Sequence, residues 1–164
     1  MKTRSTLKTI LAALLMTVGT AQAQTDVVTL RVHHFLPPSS NAQAKFMEPW
    51  CAKINKESGD RLKCQIYQAM QLGGTPAQLF DQARDGVADI VWTIPTYSAG
   101  RFPKSEVFEL PFFTRSGKGS SQAYWHFVQK HAMDEYAGVK PLWLHTNDGS
   151  SFHITSAKGV KTLE

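Results

Sequence analysis

From residue 27 onward, short runs rich in β-branched residues alternate with longer stretches whose apolar positions recur every three to four residues. That alternation confines the chain to α/β architectures built on a mainly parallel sheet. Val27 to His33 reads as a first strand. Ser39-Ser40-Asn41 then offers caps for a helix carrying Phe46, Trp50 and Ile54, in which Pro49 forces a kink. Gly59 ends that helix, Leu62 to Tyr67 forms a second strand, and Gly73-Gly74-Thr75-Pro76 supplies a turn, a cap and a proline for the first helical turn. The helix that follows runs to about Gly86. Asp89 to Ile94 is a short, mostly apolar strand suited to the middle of a parallel sheet. Beyond the loops around Arg101-Phe102-Pro103, Ser120 or Ser121 caps a helix with Tyr124, Phe127, Val128 and Tyr136 on one side, stopped by Gly138. Leu142 to His145 and Phe152 to Thr155 read as further strands, and no internal repeat or low-complexity linker occurs.

The first 23 residues stand apart. Lys2, Arg4 and Lys8 precede an apolar stretch from Ile10 to Met16 and a small-residue exit at Ala21-Gln22-Ala23, the pattern of an export signal cleaved after Ala23. The expected organisation is therefore a signal peptide over 1–23 and one domain over 24–164, in an exported protein. The apolar core falls short of the ~20 residues that a membrane span needs. Charge is read without the leader: removing its three cations from 18 leaves 15 against 13 acidic residues, a surplus too small for a nucleic-acid face.

Cys51 and Cys64 are the two cysteines. In an oxidising compartment an even count permits a bridge between them, with a pair of buried thiols as the alternative. Cys51 shares a stripe with Phe46, Met47, Trp50 and Ile54, while Cys64 alternates with Leu62 and Ile66. A helix packed on the second strand brings the two sulfurs together.

An open parallel sheet receives ligands beyond the carboxyl ends of its strands. Four loops lie there. They offer His34, Phe35 and Asn41; Gln68 with the Gly73-Gly74 turn; Thr93, Thr96 and Tyr97; and Thr146, Asn147 and Asp148. Neutral donors and aromatic walls suit holding a ligand rather than transforming it. No metal site is expected from His33 and His34, because adjacent strand residues point to opposite faces. His126 and His131 read as surface residues. Gly73-Gly74 lacks the remaining glycines and lysine of a nucleotide loop, so a tight turn is the default. Arg101 is divided evenly between touching a ligand and pinning its loop. Trp92, on a presumed central strand, reads as core. The absence of a G-x-S-x-G elbow and of paired carboxylates removes the simplest hydrolase and glycosidase readings.

Five motifs in order carry a resemblance: His34-Phe35 before a proline-serine loop, Ala69-Met70-Gln71-Leu72-Gly73-Gly74, Gly86-Val87-Ala88-Asp89-Ile90, Gly100-Arg101-Phe102-Pro103, and Glu109-Leu110-Pro111-Phe112-Phe113. Together they resemble the extracytoplasmic receptors of tripartite ATP-independent periplasmic (TRAP) transporters. The resemblance implies a periplasmic-binding-protein-like fold whose first lobe holds the parallel sheet. It implies closure on a small organic acid, no cofactor, no catalysis, and delivery to membrane subunits driven by an ion gradient. It also implies that an arginine clamping the ligand carboxylate, and most of a second lobe, follow Glu164. Where some members carry an arginine, this chain has Ser151-Phe152-His153, so Phe152 joins the ligand-binding candidates and a smaller or more apolar acid is favoured. The competing readings are a secreted enzyme or metal-binding domain complete at this length, and a structural envelope protein.

Overall fold

A computed structural model describes residues 26–147. Strand β1 (Val28–His34) is flanked by β2 (Leu62–Tyr67) and β3 (Ile90–Trp92), both parallel to it, in the order β2-β1-β3. The α/β reading with a parallel sheet is met. The central strand, however, is β1, where Val32, His33 and His34 are buried. Among the described residues β3 lies at an edge, not in the middle as expected, and is half-buried throughout. Strand order is a tertiary choice that an apolar run of this length does not encode.

Between β1 and β2 the chain makes a helical run in which a π-helical turn (Gln43–Met47) passes directly into α1 (Glu48–Glu57). Ser40 Oγ accepts from the Gln43 amide at 3.2 Å. Pro49 sits in the first turn of α1, so its missing N–H falls where the wider π turn has already interrupted the α-helical ladder. Gly59 follows at φ +62, a left-handed stop that costs glycine little.

Beyond β2, Thr75 and Gln78 form a capping box over a short 3-10 turn that leads into α2 (Leu79–Arg84). The last long helix, α3 (Gly117–His131), is capped by Ser116, whose Oγ accepts from the Gly119 amide at 3.2 Å. Neither Ser120 nor Ser121 serves as the cap. Ser121 Oγ instead accepts from the Thr146 amide at 2.9 Å and so holds the 139–147 segment against the helix.

Two apolar clusters sandwich the sheet. Val32, Met47 and Cys51 form one, with Trp50, Cys64, Ile66, Ile90 and Trp92 against it. Phe80, Phe102, Phe108, Tyr124, Val128, Ala132 and Tyr136 form the other. The segment expected as a strand from Leu142 to His145 does alternate faces: Leu144 packs on the second cluster, while Trp143 sets its ring edge-on to Phe46 (5.0 Å) and Trp50 (5.5 Å). It pairs with no strand among the described residues. A cleft of about 480 Å³ separates it from the open edge of β3. The leader, Asp148 and the strand expected over 152–155 lie outside the described residues.

Candidate functional site

His34 and Trp92 are partners in the parallel register of β1 and β3, so the residues after each emerge side by side at the carboxyl edge of the sheet. The Phe35 ring stacks on Trp92 at 6.0 Å and 21°, and meets Tyr97 edge-on at 5.2 Å. Trp92 Nε1–H donates to His145 Nε2 at 3.0 Å, and their rings lie 5.6 Å apart. Two of the four loops chosen from the sequence, through Phe35 and Tyr97, thus meet in one aromatic group with Trp92 and His145. Trp92 is its hub, and it also packs against the cluster of Val32, Met47 and Cys51, in keeping with its reading as core.

His34 supports that group from beneath. It is fully buried, its Nε2–H donates to Gln43 Oε1 at 2.6 Å, and its Nδ1 accepts from the Leu36 amide at 3.1 Å. The Gln43 amide nitrogen in turn donates to Glu48 Oε1 at 2.9 Å. His33, on the opposite face, is the mirror case: Nδ1 pairs with Gln82 Oε1 at 2.7 Å, and Nε2 accepts from the Leu72 amide at 3.4 Å. A backbone donor on one ring nitrogen and a glutamine carbonyl on the other define the neutral tautomer of each ring. Burial holds both below the usual histidine pKa, the hydrogen bonds from the glutamines acting in the opposite sense.

The β2 loop is stitched to the β1 loop. Ala69 N–H donates to Leu36 O at 3.0 Å and Met70 N–H to His34 O at 3.1 Å, with both residues at positive φ. Gln68, half-buried, begins this loop, and its amide is taken by Gln71 Oε1. Thr93 turns its hydroxyl to Pro76 O at 3.4 Å and so links β3 to the turn before α2. Asn41 and Asn147 are exposed on their loops, with no contact to the aromatic group. Phe152 lies outside the described residues.

The Gly73-Gly74 turn is held by Gln82, whose Nε2 donates to Gly73 O at 2.9 Å while its Oε1 serves His33. A Cβ on Gly74 would stand 2.7 Å from that nitrogen. The turn therefore packs tightly on its own side chains rather than offering an open cradle for phosphate. Arg101 resolves toward anchoring: it gives two hydrogen bonds to Asp81, at 2.8 and 3.2 Å, and lies 4.8 Å over the Phe80 ring. Arg31 is likewise committed to Asp89 and Arg84 to Asp81 and Asp85. None of these three guanidiniums is free to clamp an anion. The arrangement can receive a flat apolar body against Phe35, Trp92 and Tyr97, with polar groups at the loop rims.

Trp92 and His145 were outside the sequence-derived ligand set. The only signal that could have flagged them was their place at the carboxyl ends of two β-like runs.

Comparison with known proteins identifies the family. The family model described as bacterial extracellular solute-binding protein, family 7, matches residues 32–164. A TRAP solute binding protein from Rhodoferax ferrireducens T118, solved with copurified benzoate, is 50% identical at TM-score 0.70, covering 73% of this chain and 37% of that one. A marine metagenome TRAP solute binding protein specific for aromatic acid ligands, solved with 3-hydroxybenzoate, is 47% identical at TM-score 0.71, over 73% and 38%. Among curated proteins, the outer membrane transporter protein TsaT of Comamonas testosteroni is 29% identical over 111 residues, 68% of this chain and 32% of its own length. The chain thus spans less than two fifths of each of these relatives.

Proposed function

The chain belongs to the bacterial extracellular solute-binding proteins of family 7, and from that membership we propose that it forms the sheet-bearing part of a periplasmic receptor for a small aromatic carboxylate. The observation that carries the ligand class is the group of Phe35, Trp92 and Tyr97 at the carboxyl edge of the sheet, Tyr97 still 41% exposed. Aromatic faces at offset-stacked and edge-to-face distances welcome another ring and give little to a short aliphatic diacid. Two relatives solved with benzoate and 3-hydroxybenzoate support the same class.

The family and the solved relatives are solute-binding receptors, and the site acts here by capture, without covalent chemistry. The rings supply apolar contact, the backbone and amide groups of the rim supply orientation, and the carboxylate needs a cation from outside Arg31, Arg84 and Arg101. The rival of a metal-binding or hydrolytic domain loses its most obvious candidates, since both nitrogens of His33 and of His34 are already partnered. Export through the amino-terminal leader and hand-over to the membrane subunits of a TRAP transporter complete the proposal.

The test is calorimetric titration of the purified protein with benzoate, 3-hydroxybenzoate and succinate. The expected order places both aromatic acids well ahead of succinate. Equal or tighter binding of succinate would overturn the aromatic assignment, and no heat with any of the three would overturn capture by this chain.

A further inference from the structure

We propose that Cys51 and Cys64 form an intramolecular disulfide when the chain meets a protein disulfide oxidant. In the structure they stand as two thiols rather than as a bridge, Cys51 buried and Cys64 half-buried. Their placement brings them into one niche, Cys64 packed against the cluster that holds Cys51. Cys51 and Asn55 lie one turn apart on the same face of α1. Asn55 Oδ1 accepts from the Cys64 amide at 2.9 Å and seats α1 on β2. Val32 and Met47 close the niche around Cys51, with Cys64 packed against it. Among the described residues no group of three or more His, Cys, Asp or Glu is placed to hold a metal.

Exposure sets the order of events. Cys64, the reachable sulfur, loses its proton and attacks a disulfide of the oxidant; one oxidant thiolate leaves and takes up a proton. Cys51 then loses its proton and attacks the Cys64 sulfur of the mixed disulfide, and the second oxidant sulfur departs as a thiol. Two electrons and two protons pass from the cysteines to the oxidant, whose disulfide becomes a dithiol. Burial, ahead of the Cys64 contact, pushes the Cys51 thiol far above its ordinary pKa, so the second attack is the slow step. The product ties the helix that carries Phe46 and Trp50 to an outer strand of the sheet, independently of any solute.

The reduced chain is incubated with oxidised glutathione, denatured and alkylated with iodoacetamide, and its intact mass is measured with and without prior reductant. The expected result is no alkyl group without reductant and one on each cysteine after it. Reduction should also lower Tm by roughly 5–10 °C. That dependence should vanish in Cys64→Ser, a change at a half-buried position that leaves the core intact. Alkylation of both cysteines without reductant, a stable glutathione adduct, or a covalent dimer would each overturn the proposal.

Discussion

At Trp92 a single side chain carries three contacts at once: the indole N–H on His145, one ring face toward Phe35, and the edge of His34 at 6.4 Å. If the aromatic group holds the ligand ring, Trp92→Ala should weaken benzoate binding about 3- to 10-fold, since an aromatic pair contributes ~0.5–1.5 kcal/mol beyond area. Trp92→Phe should recover part of the loss, read by the same titration. Acetate, which has no ring, should be indifferent to either change. Arg101 makes a different point. Its two hydrogen bonds to Asp81 and its place over Phe80 fix the 101–113 loop to α2. Arg101→Lys keeps the charge but loses the planar fork, so urea unfolding should show a loss of about 1 kcal/mol, and solute preference should not change. Arginine or lysine at such a position looks alike to charge counting. Only the location of Asp81 on the facing helix shows that the fork is in use.

Helix ends and turns were the most legible elements. Thr75-Pro76 and Gly59 do what their chemistry prescribes, because caps and left-handed stops depend on a few neighbouring residues. The cap of α3 lies four or five residues before the expected Ser120 or Ser121, since Ser116, Ser120 and Ser121 are all competent and Ser121 is taken up by Thr146. Ser116→Ala should cost about 1 kcal/mol, measurable by thermal or denaturant unfolding. Gly74→Ala tests the turn between β2 and α2: at φ +84 and with Gln82 Nε2 2.7 Å from the added carbon, a penalty of about 1 kcal/mol or more is expected. Because Gln82 also pairs with His33, the exchange of that ring N–H with solvent should quicken in the same variant.

For the molecule as a whole, acid stability separates into two windows. His33 and His34 are buried with folded-state pKa values below the ordinary one. Above about pH 6.5 they are neutral in both states and contribute no pH dependence. As pH falls through ~6.5 the unfolded chain takes up protons that the folded chain refuses, so stability declines until the depressed folded values are reached. The carboxylate of Asp89, held down first by the side-chain hydrogen bond from Arg31, acts in the same direction in a lower pH window. Its contribution is intact above the unfolded Asp value and is lost only as pH falls through its own lower one. Thermal unfolding between pH 8 and pH 4 should therefore show a decline beginning near pH 6.5. A flat profile down to pH 5 would mean that the two rings are solvated in solution.

Although Tyr136, expected on the last helix, lies in a separate 3-10 turn after it, the sequence by itself determined the α/β class, the parallel sheet, the succession of strands and helices to His131, and the loops proposed for a ligand site. These follow from periodicity and capping, which act over a few residues. It also carried the motifs by which the chain resembles its family. Tertiary structure alone decided that β1 rather than β3 is central, that the 139–147 segment alternates faces without a strand partner among the described residues, and that Trp92 with His145 joins Phe35 and Tyr97. Each of these depends on which elements become neighbours across dozens of residues. A local pattern of apolar and polar side chains is compatible with more than one such order, and long-range packing selects among them.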